Sequence, residues 1–290
     1  MFAIYGLGAP PELIDAAYAS HTGYLKPIVH SPHAITDADF VEHLGDEEYY
    51  NAYHAYFLNY LSNHTITEAL EKYIFAPEYN YMPGAKKQPE MLNRCLAGLV
   101  HPFIHVGYGA EFGVKGQLAE GLAMTAVHIT HQTTFVPYSL FSSHMEFLTA
   151  PITSLLNRLA SLTLTHGGKS FSVPKPTFSI YQRILDEPAF EKAVPPTEDK
   201  KYEYVVDHQG NTVHKLVTDW YHSWLEGAKS NEDVEARLEA MVEEVVWGQV
   251  ILYGVAGLAG PGIKPGRDIN ADFFLYVLLC RSTSNSSHPQ

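Results

Sequence analysis

Tyr49, Tyr50, Tyr53, Phe57 and Tyr60 recur at i, i+1, i+4, i+8 and i+11, the spacing of one face of an α-helix. A helix over Asp46–Leu61 that carries so much ring surface on one side has to bury it against other elements. The stripe therefore reads as core packing rather than as the wall of a ligand site. The same period returns along the chain. Leu13, Ile14, Ala17 and Tyr18 follow a Gly/Pro turn, and Thr65 or Thr67 opens a helix through Tyr73 and Ile74. Thr36 or Asp37 caps a short helix over Asp39–Leu44, and Met91–Val100 is helical. Ser143–Leu164 is a helix broken at Pro151, Ile180–Phe190 is a short one, and Asn231 caps a long helix over Glu232–Gly257. The fold class is mainly α: a single multi-helix domain over residues 1–282, with a polar, disordered tail at 283–290. One stretch is ambiguous. Residues 202–217 alternate around His208-Gln209-Gly210-Asn211, which reads as a β-hairpin or as a loop leading into a helix at Thr218–Ala228.

Composition limits the function classes. A formal net charge of −13 over 290 residues disfavours nucleic acid and anionic membrane as partners. The two cysteines, Cys95 and Cys280, make neither a disulfide framework nor a Cys-x-x-Cys motif. With an N-terminus that lacks a basic signal region, this fits a reducing, cytoplasmic compartment. Val245–Ile263 is uncharged over a membrane-like length, but Gln249, Pro261 and repeated glycines make it a buried helix. Gly6-Leu7-Gly8 after an apolar run imitates a dinucleotide-binding turn, yet the third glycine of that fingerprint falls at Pro11. Gly-x-Ser-x-Gly and P-loop patterns are absent.

The chemistry concentrates in Ala97–Gly113, AGLVHPFIHVGYGAEFG, which carries His101, His105, Tyr108 and Glu111. His101 and His105 are four apart and share a face if the turn is helical. Pro102 pushes His101 out of helical geometry and starts a helix at its own position. A second helix, Gly116–His131, puts Glu120, Met124, His128 and His131 on one face, while its small apolar residues let neighbours approach closely. Two readings stand for these histidines. Either they are buried and hydrogen-bonded to carbonyls or to Tyr108, or His101, His105 and His128 bind non-heme Fe(II) or another divalent metal beside Glu111 and Glu120. His43, His54, His64, His166, His208, His214, His222 and His288 read as surface or core residues.

The run HPFIHVGYGAEF at His101–Phe112 resembles the questin oxidase-like family. So do Glu120-Gly121-Leu122-Ala123 with Ala126-Val127-His128, and Asp272-Phe273-Phe274-Leu275. Tyr5–Ala9 and Leu44-Gly45 with Tyr50 and Phe57 stand in that family's order. The resemblance implies a helical oxidoreductase of fungal-type secondary metabolism. Its reaction would be oxygen-dependent ring opening, of Baeyer–Villiger type, on an aromatic polyketide such as an anthraquinone or xanthone precursor. It implies NADPH and molecular oxygen as co-reactants, with no flavin-binding motif. His101, His105, His128, Tyr108, Glu111 and Glu120 are then the candidate catalytic residues. Relative to the family, the chain starts after a histidine-rich segment and stops soon after Asp-Phe-Phe-Leu. That carries the expectation of a chain truncated at both ends. The alternative function is accordingly an impaired homologue that binds an aromatic ligand or a protein, and a metal-dependent hydrolase is a third class.

Overall fold

A computed structural model describes residues 1–25, 27–130, 134–142, 179, 182–183, 186–188 and 201–259. All regular structure among the described residues is helical. The helices are α1 (Phe2–Gly6), α2 (Pro11–Thr22), α3 (Tyr50–Asn63), α4 (Ile66–Leu70), α5 (Met91–Cys95), α6 (His101–Glu111), α7 (Lys115–Val127), α8 (Ser139–Ser142), α9 (Lys201–Leu225) and α10 (Asn231–Ala259). A π-turn at Glu71–Phe75 continues α4. The chain divides into two compact units. One holds residues 1–130 and 138–142, and the other holds residues 134–137, α9, α10 and the remaining described positions.

The first unit is organised on α7, which packs most extensively against α6 and α3. Leu118, Ala119, Leu122, Ala123 and Ala126 of α7 are fully buried. The aromatic stripe of α3 lies in the same core, with Tyr53 and Phe57 fully buried and Tyr49 nearly so. Phe40 sits among the stripe's rings, 5.3–6.0 Å from those of Tyr53, Tyr56, Phe57, Tyr73 and Tyr79. Edge-on and offset pairs of this kind add about 0.5–1.5 kcal/mol each beyond their buried area. The phenols keep their hydrogen bonds. Tyr53 donates to the Phe40 carbonyl at 2.5 Å, and Tyr73 donates to Tyr56 at 3.1 Å, which in turn donates to Asp37. Burial raises the pKa of all of them, that of Tyr79 to about 12, so they remain neutral donors.

Local signals fix the helix ends. Thr65 and Glu68 form a reciprocal capping box that starts α4. Lys115, at the start of α7, donates to the Leu61 carbonyl in the last turn of α3 at 2.6 Å. Buried Asn80 ties the π-turn to α5: its amide donates to the carbonyls of Ile74 and Ala76 at 2.8 and 3.0 Å, and its oxygen accepts from the Leu92 N–H at 2.8 Å. Asn80→Ala is expected to cost about 3 kcal/mol, roughly one for each bond lost with its partner left buried. A denaturant titration measures this, and a midpoint unchanged from the parent would refute the role.

Cys95 at the end of α5 is buried, and burial pushes its thiol up to about 12. Cys95 should therefore resist iodoacetamide at pH 8 in the native protein and react only after unfolding. Peptide mass spectrometry reports this, and rapid native labelling of Cys95 would show the packing to be wrong.

Three expectations change. Residues 202–217 form no hairpin; they belong to α9. Val213, Leu216, Trp220 and Trp224 recur with a helical period, and the last three are buried. Gly210 lies inside this helix, where a Cβ would fall 2.2 Å from Thr134 Oγ1. Residues 39–44 form successive turns rather than a helix, because the Asp39 carboxylate folds back onto Thr36. The Met91–Val100 helix ends at Cys95, and Gly98–Val100 is a separate 3₁₀ turn.

In the second unit, α9 and α10 pack against each other. Arg237 of α10 donates to the carbonyls of Trp224 and Glu226, both at 2.9 Å, closing the C-terminal end of α9. No helix among the described residues is long and apolar enough to cross a membrane. The expected helices at Ser143–Leu164 and, for the most part, Ile180–Phe190 lie outside the described residues, as do His131, Asp272–Leu275 and the polar tail.

Candidate active site

Two glycines bring the histidine-bearing helices together. A Cβ on Gly109 of α6 would fall 2.5 Å from the Leu118 nitrogen, and one on Gly121 of α7 would fall 2.5 Å from the Val106 nitrogen and 2.9 Å from the His105 carbonyl carbon. The pairings 109 with 118 and 106 with 121 run in opposite directions, so α6 and α7 form a tight antiparallel pair. The backbones nearly touch where His105 leaves α6. The small residues of α7 allow this approach, as the sequence indicates.

His105 has the best-defined polar partners among the candidate residues. The Gln117 amide donates to His105 Nδ1 at 2.7 Å, and Glu120 Oε2 lies 3.7 Å from the same nitrogen. Gln117 and Glu120 are three apart on α7, and so lie on one face. With Nδ1 accepting a hydrogen bond, the neutral ring carries its proton on Nε2. Tyr50, on the aromatic stripe, lies in the field of Glu120; burial first, and that carboxylate second, raise its pKa. Neither Gln117 nor Tyr50 was a sequence candidate. The signal for Gln117 is only its spacing from Glu120, and Tyr50 reads as core.

His101 is helical (φ −57°, ψ −45°) and is the first residue of α6, which corrects the expectation that Pro102 forces it out. Val100 takes the irregular position instead, with φ 59°. His101 therefore shares a face with His105, and its Nδ1 donates to the Gly98 carbonyl at 2.6 Å. His128 follows the last residue of α7 in extended conformation, so it does not continue the helical face of Glu120 and Met124. Its ring lies against Gly98, where a Cβ would fall 2.2 Å from Nε2. Gly98 also has φ +55°, a conformation glycine adopts at least cost, and a Cβ there would push the His128 ring aside. The buried Arg94 guanidinium accompanies this turn, donating to the His128 carbonyl at 2.5 Å.

Tyr108 faces a different set. Its ring stacks on Phe2 of α1 at 6.0 Å and tilts against Phe112 at 6.1 Å. Glu111 is exposed at the end of α6, six residues beyond His105 and on another face of the helix. The structure thus makes three groupings of the candidates: His105 with Glu120, His101 and His128 around Gly98, and Tyr108 among aromatic rings.

The nitrogens of His101, His105 and His128 do not form a preassembled metal cage. Among the described residues, the ligand atoms that converge are those of His33, Asp39 and His43, all within 4.8 Å of one another. In the sequence His33 falls in a loop and His43 reads as a surface or core residue. A dinucleotide-binding strand–turn–helix is not found among the described residues either, since Phe2–Gly6 is helix α1.

The sequence profile of questin oxidase-like proteins matches residues 1–287. The chain belongs to the questin oxidase-like family. This family member is similar to the Baeyer–Villiger monooxygenase AacuH of Aspergillus aculeatus, 32% identical over 128 residues, or 42% of this chain and 25% of the relative. It is similar to the oxidoreductase AflY of Aspergillus parasiticus, 27% identical over 143 residues, or 47% and 27% of the two chains. It is also similar to a questin oxidase of Aspergillus terreus, 25% identical over 134 residues, or 44% and 28%. The matched stretches span about a quarter of these relatives' lengths. No solved structure matches the chain.

Proposed function

We propose that this questin oxidase-like protein is an oxidoreductase that uses molecular oxygen to open a ring of a phenolic aromatic polyketide, such as an anthraquinone or a xanthone precursor. The observation that carries the reading is His105, held by Gln117 and Glu120 on the tight α6–α7 pair. The names of the fungal relatives supply the reaction class. In a Baeyer–Villiger-type oxidation one atom of O2 enters a C–C bond beside a carbonyl and the other leaves as water, with NADPH supplying two electrons.

The chain's own residues handle the proton. A phenol reacts with an oxidant far more readily as its phenolate. The phenol proton goes to His105 Nδ1 as the hydroxyl takes the place of the Gln117 amide on that nitrogen, and Glu120, 3.7 Å from the same atom, stabilises the imidazolium that results. Nε2–H is then a donor to a quinone oxygen. Tyr108 is assigned a hydrogen bond to the substrate, with Phe2 and Phe112 offering ring surface beside it. Glu120 rather than Glu111 is the orienting carboxylate.

The test is oxygen uptake by the purified chain with an anthraquinone and NADPH, followed by product mass spectrometry. The expected result is substrate-dependent uptake and a product one oxygen atom heavier, or its hydrolysed form. Absence of both across a panel of phenolic anthraquinones and xanthones would reject the assignment.

A further inference from the structure

We propose that His33, Asp39 and His43 form a binding site for a late first-row divalent cation, with zinc as the matching probe. The site would clasp together the turns at residues 33–43. It stands apart from the residues proposed for oxidation and does not rest on that reading.

Two imidazoles and one carboxylate are a ligand set that such cations accept. His33 Nε2 and Asp39 Oδ2 are 3.6 Å apart, and the His43 ligand atom completes a triangle with no side above 4.8 Å. Ligands about 2.0–2.2 Å from zinc at tetrahedral angles are roughly 3.4 Å apart, so one side of the triangle is already at that length. Small side-chain rotations close the others, and His33 is exposed enough to make them.

The surroundings orient the ligands. The Asp39 Oδ1 atom accepts from the Thr36 N–H at 2.6 Å and the Thr36 hydroxyl at 2.8 Å, which leaves Oδ2 for a cation. The Tyr49 hydroxyl lies 3.3 Å from His33 Nδ1. If Nδ1–H donates to that oxygen, Nε2 is left as the bare nitrogen facing Asp39. Tyr49 also stacks on His43 with ring centroids 3.9 Å apart, so one buried ring sets both imidazoles. A second shell that fixes tautomer and ring plane in this way is what metal-binding histidines use. Glu42, Asp46 and Glu48 add negative field around Tyr49, and so around the site.

The experiment is zinc titration of the full chain by isothermal calorimetry, with cobalt absorption as a spectroscopic readout. The wild type is expected to take up one tightly held zinc, to melt at higher temperature as zinc is added, and to show a visible cobalt d–d band. His43→Ala and Asp39→Asn should each weaken zinc binding by at least about tenfold and lose the cobalt band, with unchanged far-UV circular dichroism. His105→Ala should keep both. No zinc uptake by the wild type, or wild-type uptake by the folded His43→Ala and Asp39→Asn variants, would overturn the proposal.

Discussion

Gly121→Ala is expected to destabilise the protein by about 3 kcal/mol or more, near the upper range for overpacking. The added methyl would sit 2.5 Å from the Val106 nitrogen and 2.9 Å from the His105 carbonyl carbon. Both are backbone atoms, so no rotamer change relieves the contact. Only separation of α6 from α7 does, and that separation opens the core around Leu118 and Leu122. Alanine in place of glycine gains about 1 kcal/mol of helix propensity, which offsets only part of the cost. Gly109→Ala meets the same obstacle at Leu118. A single domain holds about 5–15 kcal/mol in all, so either change removes a large share. Equilibrium unfolding of both variants checks this, and stability equal to the parent's would mean that the helices do not approach as described. Because His105 is next to the contact, a surviving variant should also lose the Gln117 and Glu120 register.

These glycines show where sequence reading succeeds and stops. The small residues of α7 announce a close neighbour, but nothing local says that Gly121 meets Val106 rather than another turn. The α3 stripe and a helix start at Thr65 or Thr67 are legible because helix period and capping are matters of three or four residues. The pairing of His105 with Glu120 depends on how two helices are registered, and only packing decides that. Residues 202–217 mislead for a related reason: a short alternation around a glycine imitates a hairpin, whereas the helical period of Val213, Leu216, Trp220 and Trp224 needs a longer window. His33, Asp39 and His43 come together through the turn that Asp39 makes onto Thr36, a contact with no periodic trace.

His105 is proposed to move the substrate's proton. That role makes Gln117 and Glu120 positioning residues, since both act on His105 Nδ1. Removing a positioned acid–base group costs about 10²–10⁴-fold in rate, whereas His105 is half-exposed and its removal leaves no buried hole. Glu120→Gln should lower kcat with KM and melting temperature unchanged, a split that a purely structural role would not produce.

The most direct measurement is the turnover number of His105→Ala against the parent, with an anthraquinone, oxygen and NADPH, on protein whose circular dichroism and melting temperature match the parent's. The account predicts a fall of about 10²–10⁴-fold with little change in substrate affinity. Parental turnover by the folded variant would contradict it.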